Sequence, residues 1–200
     1  MQMNNANCQR QLAPTVQSLQ GMLQVCEREL AWLDMSLNTK KSLCMRFGPR
    51  YNAKCHDICT ANGDCLSWVN SCRYLGVYLC ASSYFKCSFS YAKKSFYRSF
   101  NSIFGKIGRI ASEEVILHLV NMKCVPALLY GLDACPINIS DKRSFDFVFT
   151  RVLMKLFKTS SIIIIDECYE MFNLKHMSQL ISERKCRFLG NFHKGNELCN

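Results

Sequence analysis

The sequence predicts an α+β protein, with a small antiparallel sheet and one helix followed by a mostly helical domain. Apolar residues recur three or four positions apart over residues 16–33, as in a single helix. Residues 42–80 instead hold short apolar runs separated by Gly-Pro and Asn-Gly turn signals. Helical spacing returns after a linker at residues 81–83 and continues to about residue 190. We therefore predict four parts: an irregular N-terminal segment (1–11), an α+β domain (12–80), a helical domain (84–190) and a flexible tail (191–200).

The first domain begins with a helix that follows Pro14-Thr15, since proline is tolerated at a helix start. Its apolar stripe consists of Val16, Leu19, Leu23, Cys26, Leu30 and Leu33. Asn62-Gly63 lies between two short apolar runs and predicts a hairpin turn. The stretch Cys72–Leu79 is apolar, aromatic and β-branched, and predicts one short buried strand flexed at Gly76.

The second domain begins with a long helix over about residues 89–107, where aromatic residues form the apolar stripe. Ser112 predicts the N-cap of the next helix, which we expect to end before Pro126 because proline disfavours a preceding helical residue. A further strong helix is expected to start at Ser140-Asp141, and two weaker helices complete the chain.

Basic residues dominate the charge, which is formally +10 with an isoelectric point near 9.0. Many of them lie off the apolar stripes of the two strongest helices in the second domain, where they predict contacts to the phosphate backbone of a nucleic acid. These residues are Lys93, Lys94, Arg98, Arg151, Lys155 and Lys158. A basic surface that is merely solvated remains the alternative.

The fourteen cysteines suit either a secreted disulfide framework or free thiols in a reducing compartment. The first twelve residues are polar and lack the apolar core of a signal peptide, and no apolar run reaches membrane length. We therefore predict an intracellular protein, cytoplasmic or nuclear, that is neither secreted nor in a membrane.

No set of residues predicts catalysis or a metal site. Cys55-His56 with Cys59, Cys65 and Cys72 is the densest group of potential zinc ligands, but only Cys55 and Cys59 have the spacing of a ligand couple. No two of the seven aspartates are adjacent in a way that suggests a two-metal centre. The residues alone thus predict binding and no cofactor.

Three patterns, in order, resemble the reverse transcriptases of non-LTR (LINE-type) retrotransposons. They are Leu12-Ala13-Pro14-Thr15 leading into a helix, Leu37-Asn38-Thr39-Lys40-Lys41-Ser42, and Cys72-Arg73-Tyr74-Leu75-Gly76-Val77. The pattern at residues 37–42 is similar to palm motif D of that family, and the pattern at residues 72–77 is similar to motif E, the primer-grip strand. The segments 123–131 and 151–157 are similar to the thumb and the region beyond it.

The resemblance implies a palm remnant followed by a thumb, and a primer–template as the partner. It implies that Asn38 shapes the motif D turn, that Lys41 contacts the nucleotide or pyrophosphate, and that Tyr74, Leu75 and Gly76 grip the primer, with Gly76 allowing the primer backbone to come close. The family's catalytic Asp-Asp pair would precede residue 12, where residues 4–11 contain no aspartate. We therefore expect a truncated fragment without polymerase activity, although the full-length enzymes require magnesium. The alternative is a basic helical nucleic-acid-binding module with no enzymatic role.

Overall fold

The computed structural model describes residues 11–197, with side chains described as far as Phe192. The predicted irregular segment 1–11 therefore lies outside the described residues, except for Gln11. The α+β class is confirmed, and the chain divides into two units. The first unit ends at Cys72 and also includes Cys80–Phe85, whereas the second contains Arg73–Leu79 and the chain from Lys86 onward. The division thus differs from the predicted boundary near residue 80.

The first unit contains one helix and a three-stranded sheet. Helix α1 (Val16–Trp32) begins after Thr15, whose hydroxyl accepts a 3.0 Å hydrogen bond from Ser18 N. The strands are β1 (Leu43–Cys44), β2 (Ile58–Cys59) and β3 (Cys65–Trp68), in the order β1-β3-β2. The hairpin predicted at Asn62-Gly63 is confirmed, because β2 pairs antiparallel with β3. The pairing of β1 with β3 is parallel, so this sheet is not wholly antiparallel.

The core of the first unit is small and covers only part of α1. Its buried members are Leu23, Cys44, Ile58 and Leu66. Of the predicted apolar stripe of α1, only Leu23 is buried; Val16 and Leu19 are partly buried, and Leu33, which follows the helix, is 55% exposed. Gln20 attaches α1 to strand β2: its side chain donates to Cys59 O at 2.7 Å and accepts from Cys59 N at 3.0 Å. Gln20 therefore satisfies both backbone groups of one strand residue, as a neighbouring strand would.

The second sheet has the order β4-β5-β6, and the helices follow it. The strands are β4 (Ser71–Tyr74), β5 (Val77–Cys80) and β6 (Lys86–Ser88). The helical elements are α2 (Ser90–Ile107), α3 (Glu113–Leu119), a π-helical turn (Val120–Cys124), α4 (Val125–Leu128), a 3-10 turn (Leu132–Ala134), α5 (Ile139–Leu156), α6 (Ile162–Met171) and α7 (Met177–Glu197).

Polar caps set the starts of two of these helices. Ser112 caps α3 as predicted, accepting from Val115 N at 3.5 Å. Helix α5 starts slightly earlier than Ser140-Asp141, because Asn138 forms a capping box with Asp141. Helix α7 continues through residues 191–197, where a flexible tail was predicted.

Pro126 does not end the helix before it, contrary to the prediction. The chain switches to π-helical hydrogen bonding at Val120–Cys124, and Val125 N donates to Val120 O, five residues back. Proline cannot donate to the carbonyl four residues earlier and its ring collides with that carbonyl, so a widened turn lets the chain pass without a break. Pro126 then lies in the first turn of α4, where no amide donor is needed.

The core of the second unit is large and rich in aromatic residues. Phe96 and Phe100 of α2 and Phe145 and Phe149 of α5 are at most 1% exposed. Strand β5 contributes Val77 and Leu79 to the same core. None of the described helices is both long and apolar enough to cross a bilayer.

Candidate nucleic-acid interface

The motif D-like residues form a turn that Asn38 holds with its side chain. Asn38 Oδ1 accepts from Lys41 N at 3.1 Å, and Asn38 O accepts from Ser42 N at 3.0 Å. Asparagine often organises a turn in this way. The Lys41 side chain is exposed and, within the described residues, has no hydrogen-bond or ion-pair partner. The turn thus presents an ammonium group to solvent, and the contact predicted for Lys41 stays a prediction.

The motif E-like stretch is a hairpin, so the prediction of one buried strand is wrong. Strand β4 ends at Tyr74 and β5 begins at Val77, which leaves Leu75 and Gly76 as a two-residue turn. Both have positive φ, 46° and 85°, as a type I′ turn requires. Leu75 is 68% exposed at the tip. Leucine is uncommon in the left-handed region, which is why the residue pattern favoured a strand.

Close packing within the chain explains why glycine is needed at position 76, and the same holds at position 131. A Cβ at Gly76 would lie 2.9 Å from Cε1 of Tyr130, and a Cβ at Gly131 would lie 2.8 Å from Cγ2 of Val77. Gly131 also has a positive φ of 72°. The hairpin and the turn after α4 therefore pack against each other through paired glycines. The close approach expected of a primer at Gly76 is made here by the Tyr130 ring, and the grip itself stays a prediction.

Helices α2 and α5 lie side by side and are joined by two lysines. Lys93 Nζ donates to Ser144 Oγ at 2.6 Å and lies 4.9 Å from the centre of the Phe145 ring. Lys155 Nζ donates to Asn101 Oδ1 at 2.8 Å. From the first bond to the second, the bonded residue numbers increase on both helices, so the helices run roughly parallel.

Lys93 is not part of an exposed flank, contrary to the prediction. It is half-buried against α5, and this burial lowers the pKa of Lys93, an effect that the charge of Asp141 opposes. Sequence spacing places Lys93 off the apolar stripe but does not reveal a partner on a helix fifty residues later. Its primary contact is internal.

Two rows of side chains on α2 have different surroundings. The first row consists of Lys93, Tyr97 and Asn101 and lies towards α5. Burial raises the pKa of Tyr97, and the charge of Arg151 on α5 opposes that shift. Residues one position later lie about 100° further round the helix.

The second row of α2, Lys94, Arg98 and Ser102, is exposed. Helix α5 adds two exposed cations near the first row, Arg151 and Lys155, and the exposed Lys158 follows the end of that helix. We call these five cations, Lys94, Arg98, Arg151, Lys155 and Lys158, the α2–α5 face.

No carboxylate of α2 or α5 is available to neutralise the positive charge of the α2–α5 face. Helix α2 contains no acidic residue. On α5, Asp141 is engaged in the capping box, and Asp146 accepts from Ser178 N of α7 at 2.9 Å. The face is therefore cationic along its length, a feature that favours a polyanion.

No protein-family model, curated protein or solved structure matches the chain. What the interface does must therefore be inferred from its own contacts and charges.

The α2–α5 face adjoins a groove with which it shares Arg98. The groove has a volume of about 410 Å³ and lies between α2 and the π-helical turn. Its lining consists of Arg98, Ser99, Ser102, Ile103, Lys123 and Cys124. We call it the Arg98–Lys123 groove. Sequence reasoning missed Lys123 and the two serines, because only the packing of the π turn against α2 brings them to Arg98.

The cysteines considered as zinc ligands have other partners. Cys59 and Cys65 are joined as a disulfide across β2 and β3, and the Arg46 guanidinium donates to Cys55 Sγ. The disulfide differs from the expected free thiols. Among the described side chains, no three His, Cys, Asp or Glu residues are placed to hold a metal ion.

Proposed function

We propose that this chain binds the sugar-phosphate backbone of a nucleic-acid duplex through the α2–α5 face. The observation that carries the proposal is the set of five exposed cations on two parallel helices, of which α2 has no carboxylate and α5 has both of its carboxylates engaged elsewhere. Such a surface gains affinity by releasing counterions from phosphates. Cations spread along two helix flanks, with no helix presented as a recognition helix, suit backbone contact rather than sequence recognition.

The local resemblance to non-LTR reverse transcriptases makes the primer–template the proposed duplex. In that proposal the chain is a C-terminal reverse-transcriptase segment that holds the duplex and does not extend it, and it acts inside the cell. The basic binding module without enzymatic ancestry predicts the same contacts. A primed RNA template with magnesium tests the absence of polymerisation: nucleotide incorporation above a heat-inactivated control would contradict it.

The binding experiment measures fluorescence anisotropy of a labelled RNA–DNA hybrid over a series of salt concentrations. Lys94, Arg151 and Lys158 are replaced by alanine, because they are exposed and, within the described residues, their side chains make no hydrogen bond or ion pair. Each lost phosphate contact reduces the slope of log K against log salt by about 1, so the triple variant should lose about 2 to 3. The sequence of the hybrid should have little effect.

A matched triple variant controls for net charge. Arg28, Lys40 and Lys54 are exposed cations of the first unit, and their replacement by alanine removes the same charge. We expect this variant to keep the salt slope of the unchanged protein. Equal loss in both variants, or no binding at low salt, would refute the α2–α5 face as the interface.

A further inference from the structure

The Arg98–Lys123 groove shares Arg98 with the α2–α5 face but differs from it in shape and in its other donors. It is a concavity rather than a helix flank, and side chains from both α2 and the π-helical turn supply its polar groups. Arg98 provides a fork of donors, Lys123 a point charge, and Ser102 a hydroxyl that turns to suit a ligand. Cys124, which is 1% exposed, completes the lining from the core side.

These polar groups are not used by the fold. In the part of the chain that the structure describes, the side chains of Arg98, Ser99, Ser102 and Lys123 make no hydrogen bond or ion pair. Lys93 of α2 and Lys155 of α5, which lie where these two helices meet, both have partners. The contrast shows that the cations around α2 are not uniformly engaged in packing, and that those of the groove are available to a ligand.

The π-helical turn is a further indication. Single π turns within a helix are rare, and they occur frequently at functional sites. Here it passes Pro126 and at the same time supplies both Lys123 and Cys124 to the groove.

The charge of the lining selects the class of ligand. Two cations and no carboxylate line the groove. A phosphate monoester carries about −1.5 to −2 charges at neutral pH, with three acceptor oxygens, whereas an internal phosphodiester carries one negative charge. We propose that the Arg98–Lys123 groove binds a phosphate monoester, the group found on a nucleotide and on a phosphorylated nucleic-acid end. The guanidinium and the ammonium neutralise its charge, and the serine hydroxyls donate to its remaining oxygens.

The first experiment uses the full chain and adenosine 5′-monophosphate, with adenosine as the ligand that lacks the phosphate. Binding is followed by amide chemical shifts, which should move at Ser99, Ser102 and Lys123. Lys123→Ala should weaken nucleotide binding about tenfold, since a charge-assisted hydrogen bond is lost, and Lys123→Arg should restore most of it. Lys40→Ala removes the same charge outside the groove and should leave binding unchanged.

A pH series gives an independent readout. The second ionisation of a phosphate monoester has a pKa of about 6, so affinity should rise between about pH 5 and pH 7.5 as the dianion forms. Equal shifts with adenosine and its monophosphate, or an unchanged affinity in Lys123→Ala, would overturn the proposal. An affinity independent of pH would overturn the assignment to a dianion.

A second experiment asks whether the phosphate monoester belongs to a free nucleotide or to the phosphorylated end of a nucleic acid. Two RNA–DNA hybrids are compared that differ only in a 5′-phosphate or a 5′-hydroxyl end. A preference for the phosphorylated end that Lys123→Ala abolishes assigns the groove to a nucleic-acid terminus. Nucleotide binding without that preference assigns it to free nucleotides. The nucleotide experiment contains no duplex, so it tests the groove even if the α2–α5 face does not bind a nucleic-acid backbone. Conversely, if the hybrid binds without a preference for the phosphorylated end, backbone binding by the α2–α5 face is still supported.

Discussion

The paired glycines at the hairpin allow a graded stability experiment in the second unit. Alanine at Gly76 or Gly131 forces a left-handed backbone on a side chain, at a cost of about 1–2 kcal/mol. At Gly76 the added methyl meets the ring of Tyr130, which is 61% exposed and can move away. At Gly131 it meets Val77, whose branched side chain has few rotamers and packs on the core. Overpacking adds about 1–3 kcal/mol there, so Gly131→Ala should cost about 2–5 kcal/mol.

The measurement is urea unfolding followed by far-UV circular dichroism, because the second unit holds most of the helix. Gly105→Ala is the matched control: Gly105 lies inside α2 with open space around it, and alanine there should stabilise by about 0.5–1 kcal/mol. Val77→Ala should recover part of the loss in Gly131→Ala, which a double-mutant cycle quantifies. A Gly131→Ala variant no less stable than Gly76→Ala would refute the packing argument. If Gly76→Ala unfolds normally but binds a primed duplex poorly, Gly76 serves a ligand instead.

Two other predictions concern the first unit and the effect of pH. Gln20→Ala removes both hydrogen bonds to Cys59 and should lower the free energy of unfolding of the first unit by about 1–3 kcal/mol. Both tryptophans of the chain, Trp32 and Trp68, lie in this unit, so their fluorescence reports its unfolding. If the unfolding transition does not change, Gln20 does not anchor α1 to β2. Burial raises the pKa of Cys124 and of Cys135, so the native state holds these protons more tightly than the unfolded state. These two thiols should therefore make stability fall as pH rises above about 9, the ordinary pKa of a thiol, whereas the lowered pKa of Lys93 acts in the opposite direction. Cys124→Val should remove its share of that fall, measured by thermal unfolding over a pH series.

The long helices could be predicted because local spacing and burial agree. Phe96 and Phe100 on α2, and Phe145 and Phe149 on α5, were placed on apolar stripes and are fully buried. Ser112 was identified from the residue type that caps a helix and the acidic residues after it. These helices can be predicted without knowing which element packs against their apolar stripe.

Other features depend on distant parts of the chain. The turn at Leu75-Gly76 replaces a predicted strand, because the conformation of Leu75 is decided by the packing of the hairpin rather than by its own preference. The helix continues past Pro126 through a π turn, and two residues of that turn, Val120 and Cys124, are buried in the core of the second unit.

The candidate interface was predictable only as a set of cations. From spacing alone, Lys93, Arg98 and Lys155 are all predicted to be exposed cations that contact phosphates. The structure separates them: Lys93 and Lys155 join two helices, whereas Arg98 faces a groove with Lys123. Which cation is free depends on contacts between residues more than fifty positions apart, which no local pattern reports.

The division of the chain determines how the protein can be dissected. The backbone crosses between the two units three times, after Cys72, after Leu79 and after Phe85. A single proteolytic cut therefore cannot release an intact helical unit from the rest. A recombinant fragment that starts at Lys86 would lack Val77 and Leu79, and would expose the part of the aromatic core that β5 covers. Fragments meant to carry the interface alone should begin upstream of Arg73, so that the hairpin is included.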